Sequence, residues 1–254
     1  MAWQSIPTVA LDVDSGIAPA RARAVTEALH RRIVALLLNR CGRAEPLASA
    51  CLYWSAGHLI LLTCRHVFDE GASLGDLALP LGGTGRLATL RALRARFVGH
   101  PGRDIAAIDL CPVRAREALQ RHWFPVPLRA LSETSARPPQ RLVIAGYPYA
   151  QMRRVEGAVY ARPLVLFTRP LSCAVAGVRA CYARTALRLD GVLVHAPALD
   201  GVSGATVWSI EDERRDVECL LLPVGVQCAF KHDEYVRGEP IAAAREVVAR
   251  LVER

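Results

Sequence analysis

The chain has 254 residues, 52% of them hydrophobic, and a formal net charge of +8. That length and apolar content specify a folded chain with a sizeable core, one large all-β domain or two small ones, and exclude a disordered one. No apolar run reaches the ~18 residues of a membrane span, and the N-terminus lacks the basic start, apolar stretch and small-residue cleavage site of a signal peptide, so a cytoplasmic protein with no membrane partner is expected.

The positive charge is almost all arginine, with Lys231 the sole lysine. It is spread along the chain without an aromatic-interleaved basic patch. Arg31-Arg32, Arg153-Arg154 and Arg214-Arg215 read as solvated faces or turns, and no nucleic-acid partner is expected. The cysteines (Cys41, Cys51, Cys64, Cys111, Cys173, Cys181, Cys219 and Cys228) form no C-x-x-C and no Cys/His cluster of zinc spacing. They are expected to be reduced thiols acting as small buried hydrophobes, with no metal and no cofactor.

In chain order, Ala18 to Arg40 reads as a helix, because Val25, Leu29, Ile33 and Leu36/Leu37 recur at helical spacing opposite Arg21, Glu27 and Arg31. Its apolar stripe is expected to brace the rest of the domain, the alternative being a docking site for a regulatory protein partner. Ser49–Trp54 and His58–Thr63 read as a hairpin around Ser55-Ala56-Gly57. Gly82 to Gly85 is a turn without the lysine of a phosphate loop. Arg91 to Val98 alternates apolar and basic residues like a half-buried strand, Asp104 to Val113 is a second strand, and Arg114 to His122 a short helix. The second half reads as strands over Arg141–Gly146, Ala158–Phe167, Ser172–Val178, Leu187–His195, Ala205–Ile210 and Val217–Phe230. A helix over Ile241 to Val252 closes the chain.

Three segments put catalytic residue types beside strand or turn formers: Thr63-Cys64-Arg65-His66-Val67, Asp104-Ile105-Ala106-Ala107-Ile108 and Gly201-Val202-Ser203-Gly204-Ala205. His66, Asp104 and Ser203 are 38 and 99 residues apart in sequence. Unrelated folds that build a His-Asp-Ser triad present its members in different chain orders. The order here, and separations near the roughly 45 and 93 of the chymotrypsin-like template, point to that one. The order Ser, acid, His of an α/β-hydrolase does not fit, since about fifty residues follow Ser203 and strand–helix alternation is missing.

The three segments resemble the T-A-x-H, D-I-A-L and G-D-S-G-G motifs of trypsin-like serine proteases, bacterial type. Ala145-Gly146-Tyr147-Pro148 is similar to a G-[YF]-P turn of bacterial relatives, and Val224 to Ala229 to the strand that lines the substrate pocket. The resemblance covers residues 48–230; the first 45 match nothing. It implies an all-β, chymotrypsin-like double β-barrel with terminal helices: an N-terminal helical extension over 1–45, barrels over 46–113 and 138–230 within a protease domain at 46–230, and a C-terminal helix packed on it within 231–254. Secreted members of the family often carry disulfides, so the even cysteine count leaves a disulfide framework as an alternative.

The activity implied is serine endopeptidase, acting on a peptide or protein substrate through an acyl-enzyme. Ser203 is expected as nucleophile, His66 as base and then acid, Asp104 as the group that orients the imidazole, and the backbone N–H groups of Gly201 and Ser203 as the oxyanion hole. His195, Gln227, Cys228 and Phe230 are the expected substrate-binding residues. Neither His195-Ala196-Pro197-Ala198-Leu199 nor Gln227-Cys228-Ala229-Phe230 carries a carboxylate for a basic side chain, so small or aliphatic side chains are expected before the scissile bond. The alternative is a protease-fold scaffold that binds a partner and cleaves little or nothing. Ala205-Thr206 departs from the family's Gly-Pro, and Val202 stands where zymogen-type relatives place the acid that pairs with a new N-terminus. Activity is therefore expected not to depend on N-terminal cleavage.

Overall fold

The computed structural model describes residues 7–40, 43–55, 57–69, 72–81, 87–111, 113–133, 138–155, 158–172, 177–212 and 219–253, and all that follows concerns those residues. The chain opens with β1 (Thr8–Leu11), then α1 (Pro19–Leu29), which starts on a proline whose fixed φ suits a first helical turn. α1 buries Ala22, Val25, Thr26 and Leu29, one face at helical spacing. The helix expected to run to Arg40 stops there, and Ile33–Arg40 is a strand, β2, with Ile33 to Leu37 wholly buried. A continuous apolar run of this length is hidden on all sides whether coiled or extended, so helical spacing does not discriminate. Here β2 is flanked on both sides within its sheet.

β3 (Arg43–Ser55) returns antiparallel to β2, and β4 (His58–Thr63) returns on β3 with Cys51 opposite Leu62. Between β2 and β3 the register slips: Leu36 faces Ala48 but Leu37 faces Pro46. Leu47 is the extra residue of this bulge, the device by which a strand re-aims a side chain. A turn of helix, α2 (His66–Asp69), leads to β5 (Leu77–Pro80), β6 (Leu87–Thr89), β7 (Arg96–Gly99) and β8 (Ala106–Asp109). The expected strand from Arg91 is shorter because Leu90 to Arg94 is a turn, with Arg94 at φ 46°. α3 (Val113–Gln120) and the short β9 (Val126–Pro127) follow, β9 lying parallel to β3. The first sheet runs β6-β5-β2-β3-β4-β8-β7.

The second half contributes β10 (Leu142–Gly146), the hairpin β11 (Met152–Val155) and β12 (Ala158–Ala161), β13 (Leu164–Thr168), β14 (Val178–Cys181), β15 (Thr185–Leu187) and β16 (Leu193–His195). Then come β17 (Thr206–Asp212), β18 (Cys219–Lys231), β19 (Tyr235–Pro240) and α4 (Ile241–Val252). Their sheet runs β14-β19-β18-β17-β10-β13-β1-β15-β16. Ala158–Phe167 is two strands, split at Arg162-Pro163, and Leu187–His195 is a hairpin that turns at Asp190-Gly191, with Gly191 at φ 80°. The Gly82–Gly85 turn and most of Ser172–Val178 lie outside the described residues.

The chain is mostly β, folded as two curled half-barrel sheets compatible with a double β-barrel. The stretch expected to be a separate extension feeds both: β1 is parallel to β13 in the second sheet, and β2 is interior to the first. α4 follows the last strand of the second sheet and packs on β7 and β8 of the first, burying Ile241, Ala244, Val247, Val248 and Leu251. It thus ties the two sheets together. Among the described residues, no helix is long and apolar enough to cross a membrane.

Candidate active site

The site is assembled from the ends of strands in both sheets. β4 stops at Thr63, and Cys64-Arg65 carry the chain out of the sheet to His66, the first residue of α2. Arg65 reaches the other way, donating to the backbone carbonyls of His100 (2.8 Å) and Pro101 (3.2 Å). It therefore fastens the His66 turn to the bend between β7 and β8, where Asp104 lies. Asp104 grips His66 twice: Oδ1 accepts the His66 backbone N–H at 2.9 Å, and Oδ2 lies 2.6 Å from the ring Nδ1.

Burial opposes ionisation of Asp104, but the hydrogen bonds from the His66 ring and from the backbone of His66 and Arg65, with the attraction of the ring, outweigh it and lower its pKa below 3.8. An ionised carboxylate only accepts, so Nδ1 carries the proton. Nε2 is the ring nitrogen turned away from Asp104.

Ser203 lies in the turn between Leu199 and β17. Gly201 and Gly204 have φ of 89° and 91°, a region that disfavours side chains. Space is as restrictive: a Cβ on Gly204 would lie 2.1 Å from the Ser49 carbonyl oxygen, and one on Gly201 2.3 Å from the Tyr149 ring. The turn is stitched on both sides. Ser49 N–H donates to Ser203 O, Gly204 N–H to Gln227 O and Gln227 N–H to Ala205 O, each at 2.8 Å. The Ser49 hydroxyl donates to Gly201 O and accepts the Tyr147 N–H, both at 2.8 Å.

His66 and Ser203 line one cleft of about 140 Å³, together with Leu47, Tyr149, Asp200, Gly201 and Phe230. The imidazole's described bond runs to Asp104, and Ser203 shares its cleft. The backbone N–H groups of Gly201 and Ser203 have no protein acceptor among the described residues.

The expected pocket residues divide. Phe230 lines the cleft, its ring held edge-to-face by Tyr182 at 5.9 Å, while the Tyr182 hydroxyl donates to Pro197 O. Gln227 and Cys228 are buried in β18 and serve through hydrogen bonds, Gln227 by its backbone and Cys228 by a thiol that donates to Arg237 O at 3.6 Å. His195 is exposed on β16, an edge strand, and is not among the residues lining the cleft. Asp200, absent from the expected pocket, lines it.

Cys64, His66 and Asp104 place their ligand atoms within 4.8 Å of one another, a group that could hold a metal ion. Burial, then the Asp104 carboxylate, push the Cys64 thiol well above 9.0, and its S–H donates to Gln227 O at 2.9 Å. Cys51, Cys111, Cys181 and Cys228 are likewise free thiols.

Ser49, Tyr149 and Arg65 are the participants that motif reading misses, since each acts through backbone groups distant in sequence. No protein-family model matches this chain, and no curated protein does.

Proposed function

We propose that the protein is a serine endopeptidase that hydrolyses peptide bonds through an acyl-enzyme. One observation carries the reading. A serine on a tight turn shares a 140 Å³ cleft with a histidine whose far nitrogen is held at 2.6 Å by a carboxylate of lowered pKa. Those are the parts a serine needs to become a nucleophile at neutral pH.

In the first step Ser203 Oγ attacks the substrate carbonyl carbon while His66 Nε2 takes the hydroxyl proton. Asp104 holds the ring's orientation and stabilises the imidazolium without taking the proton. The carbonyl oxygen becomes an oxyanion facing the Gly201 and Ser203 N–H groups. Each such donor is worth roughly 3 kcal/mol in comparable sites. Collapse breaks the C–N bond, His66 protonates the leaving amine, and water, deprotonated by His66, then hydrolyses the ester. Phe230 and the small cleft favour a small or aliphatic side chain before the scissile bond.

The test uses the full chain with a fluorophosphonate probe and a peptide library. The wild type is expected to be labelled once per chain, at Ser203, and to cleave peptides. Ser203→Ala is expected to lose both at unchanged melting temperature, and His66→Ala to behave alike. A well-folded wild type inert to both reagents, or a Ser203→Ala variant labelled as fully as wild type, refutes the proposal.

A further inference from the structure

Glycine at position 201 raises a question of orientation. Its lack of a Cβ is required by the Tyr149 ring and the Tyr147 carbonyl. Yet glycine is the residue whose backbone rotates most freely, so glycine alone does not decide which way the Asp200–Gly201 peptide faces. Val202, the next residue, is buried and apolar, so no ion pair at that position decides it either. The orientation matters because a planar trans peptide points its C=O and the following N–H in opposite directions. Whatever holds the Asp200 carbonyl therefore aims the Gly201 N–H.

Backbone and hydroxyl hydrogen bonds do the holding. The Asp200 carbonyl accepts the backbone N–H of Tyr149 at 2.8 Å, which turns the Gly201 N–H away from Tyr149 N and leaves it without a protein acceptor among the described residues. The next peptide is fixed by the Ser49 hydroxyl on the Gly201 carbonyl at 2.8 Å and by Val202 N–H on the Leu199 carbonyl at 2.9 Å. The third is fixed by Ala205 N–H on the Val202 carbonyl at 2.9 Å, which aims the Ser203 N–H. Three successive peptides are thus locked from the carbonyl side, and the two N–H groups left over belong to residues lining the cleft. Backbone donors that no protein group takes, at the wall of a cleft, are open to an incoming oxygen, whether of water or of a substrate.

We infer that the backbone N–H of Tyr149 and the hydroxyl of Ser49 are positioning groups that hold the oxyanion hole in its working orientation before substrate arrives. The inference rests on the protease reading for its kinetic consequence and on the fold alone for its structural one. It makes the site constitutively competent, with neither a newly formed N-terminus nor a bound partner needed to turn the peptide.

The test removes one hydrogen atom's worth of chemistry. Tyr149 is the first residue of a one-turn 3-10 helix, and Pro148 before it has φ −69° and ψ 143°, the extended conformation a following proline demands. Tyr149→Pro therefore fits the local backbone and deletes the N–H, while Tyr149→Ala deletes the same ring and keeps it. The kcat of Tyr149→Pro is expected to fall about 100-fold below that of Tyr149→Ala at similar KM, the loss typical of a missing oxyanion donor. A kcat ratio within 3-fold overturns the inference.

A crystal structure of Tyr149→Pro reads the peptide directly. The Asp200–Gly201 plane is expected to rotate, and an unrotated plane overturns the inference whether or not the chain is a protease. If the proline variant does not fold, Ser49→Ala replaces it with the same readouts: a fall in kcat without a matching rise in KM, and a turned Gly201–Val202 peptide. A wild type inert to peptides and to fluorophosphonate refutes the protease reading separately, leaving the crystal structure to decide the clamp.

Discussion

Ser49→Ala isolates what one buried hydroxyl does for the turn that carries Ser203. Ser49 is 0% exposed, and its Oγ serves as donor to Gly201 O and acceptor from Tyr147 N–H, both at 2.8 Å. Alanine keeps the backbone bonds to Ser203 O and from the Thr63 hydroxyl, so the substitution strips the hydroxyl's two and nothing else. Both orphaned partners are backbone groups in a buried setting, each costing about 1–3 kcal/mol when left unpaired. Allowing for partial relaxation, the loss is about 2–4 kcal/mol. For a chain of this size, where 1 kcal/mol moves the melting temperature by roughly 2–4 °C, that is a fall of about 5–15 °C. Urea and thermal unfolding of wild type, Ser49→Ala and Thr63→Val measure it. Thr63→Val removes one hydroxyl bond, to the Ser49 carbonyl, and is expected to cost about 1 kcal/mol. A Ser49→Ala loss under about 0.5 kcal/mol, the level of an ordinary surface change, refutes the reasoning.

Asp104 has a lowered pKa in the fold, so its contribution to stability is complete above the unfolded value, near 3.8, and disappears as pH falls through the lower folded one. The stability gap between wild type and Asp104→Asn, followed by urea titration, is expected to close as pH falls below about 4; a gap that widens below about 4 contradicts the hydrogen-bonded carboxylate. The same variant is expected to lose roughly four orders of magnitude in kcat, by analogy with the serine-protease triad. Gly204→Ala, whose Cβ would fall 2.1 Å from a backbone oxygen at φ 91°, is expected to destabilise by more than about 3 kcal/mol or to prevent folding. Gly191→Ala, at φ 80° with nothing within 4 Å, carries only the backbone strain of about 1–2 kcal/mol, and equal losses in the two show that collision is not the cause. Phe230→Ala is expected to shift a peptide-library profile from small or aliphatic side chains toward aromatic ones before the scissile bond; a wild-type profile dominated by arginine refutes the assignment of Phe230 as the limiting wall.

What could be read from the residues, and what could not, follows from where each property is encoded. β4 and α4 match their expected spans, His58–Thr63 and Ile241–Val252, because each is a strong local pattern flanked by its own stop signals. β2 does not, since Ile33 to Leu37 satisfies helix and strand alike and only its neighbours β3 and β5 choose. β19 has a weak strand signature: after Tyr235 and Val236 it carries Arg, Gly, Glu and Pro, and it is extended because β18 and β14 pair with it.

The site divides in the same way. His66, Asp104 and Ser203 can be proposed from sequence because the side-chain reaction proposed for them demands particular residue types at particular places in a strand or turn. The orientation of the Gly201 and Ser203 N–H groups demands no residue type at all. It depends on which carbonyls are held, by a hydroxyl 152 residues away in sequence and by the backbone N–H of Tyr149. Any residue but proline has that N–H, so no motif records it. The Leu47 bulge belongs to the same class. One unpaired residue in β3 lets Leu37 face Pro46, puts Leu47 at the cleft, and precedes Ser49, whose N–H meets the Ser203 carbonyl. A single deletion that erased the bulge would keep His66, Asp104 and Ser203 and shift the segment that clamps the turn of Ser203. Local pattern therefore points to the groups proposed to react, while long-range register sets the backbone geometry on which that proposed reaction depends.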